Sequence, residues 1–415
     1  MNFNKPLLAL TRSLSKKPTE RRIIAKSLSL LINSRKEILK FLIPFSYIDF
    51  NYNKPKLSFW FLLIKLASRQ KIAILNEERF LVYLRSTSAY IEASSMIHSD
   101  INSCFSRGDN YSDVLFRLQE DPPERLFVFH HYDKTGFLPD SWLNTILSIK
   151  DSGWIIILST SNLRVESVNR LESLGIIVAK RLNIGRCLGA YKDLSLLIQN
   201  NNKVCSRLKS LILCNDSMLP ISSEESVVNH IDHLVSTYEN YKHPLMAGLT
   251  DSSERGLYHL QSYFLYTNCL CFNSEFWTNF WLRFNPSLDK EQLIDNGEIA
   301  LSQIALSNDI ELKCMYPLID ALLNEQSISL ELKEVGIDKI TDVNQTLFAW
   351  KSLLDRGFPF IKKQVIFGIE NSKIDPLLKS NMLSLMPIAN KKIFLNDVSQ
   401  IFIARNLSDG LGKHL

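Results

Sequence analysis

Asn215-Asp216-Ser217 closes an apolar run, LILCNDSMLPI (Leu211–Ile221), and stands just ahead of Pro220. A carboxylate where an apolar strand ends lies at a sheet edge. There it can share a hard divalent cation, Mn²⁺ or Mg²⁺, with phosphate oxygens, which makes Asp216 the candidate metal ligand. The same tripeptide also suits an Asx turn or a helix N-cap. Upstream, Asn183-Ile-Gly185-Arg186-Cys187-Leu-Gly189 follows a β-rich run and opens a helical one. Its glycines allow close backbone approach, and Arg186 beside a helix N-terminus favours an anion. The glycines are four apart, so this is not the dinucleotide fingerprint; glycine punctuation of an ordinary strand–helix turn is the plainer alternative. Two more carboxylates, Asp251 in GLTDS and Glu298 in NGEIALS, are each placed to take a proton from a hydroxyl, or simply to cap or solvate. His259 and Gln261, in HLQSYF, add hydrogen-bonding groups close to Asp251. The chain has no nucleophile-elbow serine, GxxxxGK[ST] loop or HExxH pair, and adjacent His130 and His131 would point to opposite faces of a strand.

The elements that must hold these groups begin at Pro122-Pro123. Arg125–His131, Trp154–Thr160, Gly175–Leu182 and Ser210–Asp216 read as strands. They alternate with helical patterns at 141–152, 165–174 and 190–199. Continuous apolar strands separated by helices predict a mostly parallel sheet covered on both faces, with ligands at the carboxyl ends of its strands. Beyond Asp251 the order becomes mixed. Leu260–Phe272 reads as one or two strands with Cys269 and Cys271 on a shared face, followed by an aromatic helix (Phe276, Trp277, Phe280, Trp281, Phe284). The predicted organisation is a basic helical region at 1–120, an α/β domain at 121–330 and a helical region at 331–415 that turns at Gly357-Phe358-Pro359.

Residues 1–75 hold 15 of the chain's 48 Lys and Arg but three of its 43 Asp and Glu, so a basic arm precedes an acidic body. Such an arm fits contact with an anionic membrane surface or, equally, a solvated helical face. The acidic body offers no basic groove for nucleic acid. The seven cysteines include no CxxC pair, which points to reduced thiols rather than a disulfide scaffold or zinc site. The apolar windows Ile38–Ile48 and Leu57–Ala67 are too short to span a bilayer, and the start of the chain lacks a secretory pattern. The expected location is cytoplasmic, at most peripheral on the inner face of the plasma membrane.

Six ordered segments resemble the rhamnan synthesis protein F family of bacterial polysaccharide glycosyltransferases. They are Asn183…Gly189, Asn215-Asp216-Ser217…Pro220, Gly248…Ser252, His259–Phe264, Glu298…Ser302, and Asn344-x-Thr346…Trp350 with Gly357-Phe-Pro-Phe360-Ile-Lys362. The resemblance covers roughly Leu126 to Ile366. It implies a GT-A-like fold and inverting transfer of a deoxyhexose, rhamnose from dTDP-rhamnose, to a polysaccharide or lipid-linked glycan. It further implies a metal–diphosphate site at Asp216 and a donor side lined by Asn183, Gly185, Arg186, Asn215 and Ser217. Glu298, or failing it Asp251, would be the base, with His259 and Gln261 orienting the sugars. Cys187 stands where the family pattern has Asp, and this departure keeps open a catalytically silent scaffold that binds nucleotide or glycan.

Overall fold

The computed structural model describes residues 110–252, 254, 257–286, 290–318, 343–367, 384 and 388–411. The basic arm and its expected membrane contact lie outside the described residues, as does most of the region 1–120. Four strands run parallel in the order β3-β2-β1-β4: β1 (Arg125–His131), β2 (Ile155–Thr160), β3 (Ile177–Lys180) and β4 (Ser210–Asn215). Side chains alternate along them as the pleat requires. Leu126, Val128, Leu211 and Leu213 enter one apolar cluster, while Phe127, Phe129, Ile212 and Cys214 enter another. Helices α1 (Tyr111–Glu120) and α4 (Arg186–Gln199) cover the first face. Helices α2 (Asp140–Asp151), α3 (Val165–Ser173) and α5 (Glu224–Tyr238) cover the second. The fold is therefore α/β, a mostly parallel mixed sheet flanked by helices, consistent with a GT-A-like fold.

The boundary expected at residue 121 does not separate α1 from the body. Val114 and Leu118 are buried in the first cluster. Asn110 bonds the free edge of β3 as a neighbouring strand would, donating to Val178 O (2.7 Å) and accepting from Lys180 N (2.9 Å).

Beyond β4 the chain makes β5 (Met218–Pro220), β6 (Leu245–Ser252), β7 (His259–Leu260), β8 (Phe264–Asn268) and β9 (Glu311–Tyr316). Strand β8 lies antiparallel between β4 and β6, and β9 is parallel to β6. Strands β7 and β8 both oppose β6, but Leu260 faces Asp251 while Leu265 faces Gly248. The two registers differ by two residues, so Gln261-Ser262-Tyr263 forms a bulge. The second strand expected up to Phe272 is instead a helical turn, Cys269–Phe272. Asn268 Oδ1 accepts from Cys271 N (3.0 Å) and Leu245 N (3.1 Å), and this cap stops the strand. Cys269 and Cys271 thus share no strand face; the six cysteines among the described residues are free thiols, as expected. The aromatic helix is α6 (Glu275–Arg283), and a π-helical turn, Ile294–Ile299, leads into α7 (Ala300–Ser307).

The C-terminal region, expected to be helical, also contributes a strand. After α8 (Trp350–Asp355), β10 (Phe360–Lys362) pairs antiparallel with β5, placing Lys362 opposite Met218. Helix α9 (Ile388–Leu411) then packs on the second face through Phe394, Val398 and Ile401. No helix among the described residues is long and apolar enough to cross a membrane.

Trp142 secures this ribbon. It is fully buried, donates from Nε1 to Met218 O (2.8 Å) and stacks on Phe360 at 5.5 Å. Trp142→Phe keeps a ring but leaves that carbonyl without its donor, so urea denaturation is expected to show a loss of about 1–3 kcal/mol. Trp142→Ala is expected to lose about 3–5 kcal/mol.

Candidate functional site at the carboxyl edge of the sheet

The carboxyl ends of β1, β4 and β6 carry His130-His131, Asn215-Asp216 and Asp251-Ser252. Asn215 Oδ1 accepts from Ser217 N (2.9 Å), making the tripeptide an Asx turn between β4 and β5. The turn leaves Asp216 largely buried and Ser217 exposed. Asp216 Oδ2 accepts from Lys363 Nζ at 2.9 Å and from Tyr132 N at 3.4 Å. Burial pushes the Asp216 carboxyl up, but the Lys363 ammonium more than offsets this, and the carboxyl sits below its ordinary value.

Glu298 occupies the π-helical turn, a geometry common at functional positions. Its neighbour Gly297 lies so close to α4 that an added Cβ would stand 2.4 Å from Leu188 Cδ1. Glu298 Oε2 accepts from the Ser262 amide (2.9 Å) and the Ser262 hydroxyl, while Oε1 lies 3.5 Å from His259 Nε2. Burial would raise the Glu298 carboxyl, but His259 and Ser262 hold it at about 2. Burial would likewise lower His259, but Glu298 more than offsets this and the imidazole is raised. The side chain of Glu298 remains 18% exposed, so an ionised carboxylate meets solvent.

Cys187 lies within electrostatic reach of both Glu298 and Asp216, and burial pushes its thiol up to about 12. Tyr191 links the two sides. Its hydroxyl donates to Ser262 O (3.0 Å) and accepts from Asn215 Nδ2 (3.3 Å).

The remaining sequence-predicted residues are placed differently. Asn183 and Arg186 are exposed on the turn before α4, where Gly185 (φ 72°) and Arg186 (φ 53°) are both left-handed. Gly185 is required there, since a Cβ would meet Pro286 Cβ at 2.5 Å. Asp251 is buried, with Oδ1 accepting from Leu318 N (2.8 Å) and Gln345 Nε2 (3.0 Å). That burial leaves Glu298 as the carboxylate of the pair that meets solvent. Gln261 is also internal: Oε1 accepts from Thr250 Oγ1 (2.7 Å) and Nε2 donates to Asn344 Oδ1 (3.0 Å). His259 is fully buried, donates from Nδ1 to Leu257 O (2.8 Å) and turns Nε2 toward Glu298. His259 and Gln261 therefore position the site from beneath rather than facing a sugar.

Sequence reading missed three residues. Arg181 is buried and ion-paired with Asp193 (3.2 Å). Its guanidinium bonds Ile184 O (2.7 Å) and Arg186 O (3.3 Å), which shapes the glycine turn. Lys362 and Lys363 were visible as a basic pair, but only the β5–β10 pairing brings Lys363 to Asp216.

The groups expected to hold a divalent cation have partners within the fold. Among the described residues no group of three or more His, Cys, Asp or Glu is placed to hold one. Asp216 is ion-paired with Lys363. Asp133 Oδ1 is engaged by Thr135 N (2.8 Å) and Thr135 Oγ1 (2.6 Å). His131 Nε2 lies 2.8 Å from Phe137 O, and both histidines are lowered, chiefly by burial.

No family model matches the chain. Over 254 residues, 58% of this chain and 75% of the relative, it is 24% identical to Virulence protein VirA of Vibrio anguillarum. A second Vibrio anguillarum protein of that name matches equally, at 24% over 254 residues.

The Glu298–His259 pair has a signature in pH. Glu298 falls from an ordinary 4.5 to about 2, so its contribution is present above pH 4.5 and lost as pH drops toward 2. His259 is raised from 6.5, so its contribution is full below pH 6.5 and lost above. The melting-temperature gap between wild type and Glu298→Gln should therefore be widest between pH 4.5 and 6.5 and narrow on both sides. A gap that stays flat from acid to alkaline pH would rule the linkage out.

Proposed function

We propose that this chain is a nucleotide-sugar-dependent glycosyltransferase of the rhamnan synthesis protein F type. It moves rhamnose or another deoxyhexose from a dTDP-linked donor to a hydroxyl of a growing polysaccharide or lipid-linked glycan. The observation that carries the reading is an ionised, partly exposed Glu298 on the same sheet edge as the Asp216–Lys363 pair. In the proposed step the acceptor oxygen attacks the anomeric carbon, whose bond to the phosphate oxygen breaks, and the configuration inverts. The hydroxyl proton passes to Glu298 Oε1, since Oε2 already accepts two hydrogen bonds from Ser262. So acidic a carboxyl orients the hydroxyl first and takes its proton late, as charge builds on the departing diphosphate.

The six ordered segments support this reading. The Vibrio anguillarum relative is described by virulence alone, which specifies no reaction. The proposed location is the cytoplasm, with the basic arm touching anionic lipid. A catalytically silent scaffold is the second reading, and Cys187, neutral where the family pattern has a carboxylate, is the observation in its favour.

A screen of dTDP-, UDP- and GDP-sugars, following release of the nucleoside diphosphate with and without glycan acceptor, separates the two. Acceptor-dependent release with a deoxyhexose donor is expected. Glu298→Gln should lower kcat about 10²–10⁴-fold, the usual yield of a positioned base. Binding of donor with no turnover by the wild type would establish the scaffold instead.

A further inference from the structure

Within the nucleotide-sugar reading, on which this inference rests, the lysine pair delivered by β10 has a use of its own. Lys363 Nζ is 2.9 Å from Asp216 Oδ2, and Lys363 N donates to Ser217 O (3.0 Å). Its ammonium carries three hydrogens, of which Asp216 takes one. Lys362 is the last residue of β10, and Lys363 opens the helical turn that follows it. Glu298 and Glu254 act on Lys362 as opposing charges and Lys290 as a like one. It is half-buried and makes no hydrogen bond or ion pair among the described residues. At the ends of β1 and β4 the acidic groups are engaged: Asp216 pairs with Lys363, and Asp133 closes its own turn.

We propose that Lys363, seated on Asp216, supplies the positive charge for the donor's diphosphate, so that nucleotide binding requires no divalent cation. Asp216 then orients an ammonium instead of ligating a metal. The diphosphate oxygens accept the remaining Lys363 hydrogens, charge-assisted bonds that strengthen as the leaving group gains charge.

Calorimetric titration of the full chain with dTDP, UDP and GDP, in EDTA and again in Mn²⁺, tests this. At least one nucleoside diphosphate should bind equally well in both conditions. Lys363→Met should weaken binding in EDTA by about tenfold or more, the scale of one charge-assisted hydrogen bond. Mn²⁺ should restore part of that loss by occupying the vacated Asp216, and Lys363→Arg should retain affinity in EDTA. Wild-type binding that appears only with Mn²⁺ would overturn the inference and leave the glycosyltransferase reading standing, and this arm needs no variant to fold. Unchanged affinity of Lys363→Met in EDTA would also overturn it. Absence of binding by all three nucleotides in both conditions would remove the nucleotide-sugar reading and the inference together.

Discussion

A chain of hydrogen bonds crosses the carboxyl edge of the sheet and fixes four elements at once. Glu298 in the π-helical turn holds the Ser262 amide and hydroxyl. The Ser262 carbonyl takes the Tyr191 hydroxyl from α4, which takes the Asn215 amide at the end of β4. Asn215 in turn holds the Ser217 amide. Most of these groups are shielded from water, and a buried polar atom stripped of its partner costs about 1–3 kcal/mol. The links therefore hold or fail together. The bulge between β7 and β8 follows from the same chain, because the Ser262 amide points at a carboxylate rather than along the β ladder. A regular strand there would leave Glu298 without the donors that keep it ionised.

The opposite wall depends on chain connectivity. Strand β5 is three residues long and could not hold its position alone. Pairing with β10 and the bond from Trp142 to Met218 tie it to α2 and the second apolar cluster. This is how a segment almost 150 residues downstream puts an ammonium on Asp216. Buried Asp251 plays the matching structural part on β6, holding Leu318 and Gln345 and so steering the chain toward Asn344 and α8.

Much of the fold was legible because its signals are local. The strands β1 to β4 are apolar runs long enough to declare themselves, and the helices between them carry a clear period. The polar residues that end β1, β4 and β6 could be located for the same reason. The missing parts were those whose meaning lies in a distant partner. Strand β10 is three residues flanked by helix, and nothing local distinguishes it from a turn. Cys269–Phe272 is an apolar run that reads as strand, and it coils because Asn268 Oδ1, held by Leu245 N across the sheet, also caps Cys271 N. Asp251, His259 and Gln261 illustrate a further limit. Buried polar residues that brace a site have the same composition as those that face a ligand, and their spacing in sequence does not separate the two groups.

The charges around the cleft make sense of its one departure from the family pattern. A carboxylate at position 187 would stand within reach of both Glu298 and Asp216, adding a third negative charge to a poorly solvated space. Like charges there would raise one another's proton affinity, and a cation would be needed to relieve them. Cys187 removes that requirement, since its thiol stays neutral at any physiological pH. Two carboxylates then remain, and each has a cationic neighbour within the fold: Lys363 against Asp216, and His259, raised toward its charged form, against Glu298. A thiol at 187 and a lysine on Asp216 are thus two expressions of one electrostatic arrangement, in which the protein's own cations are set against its anions.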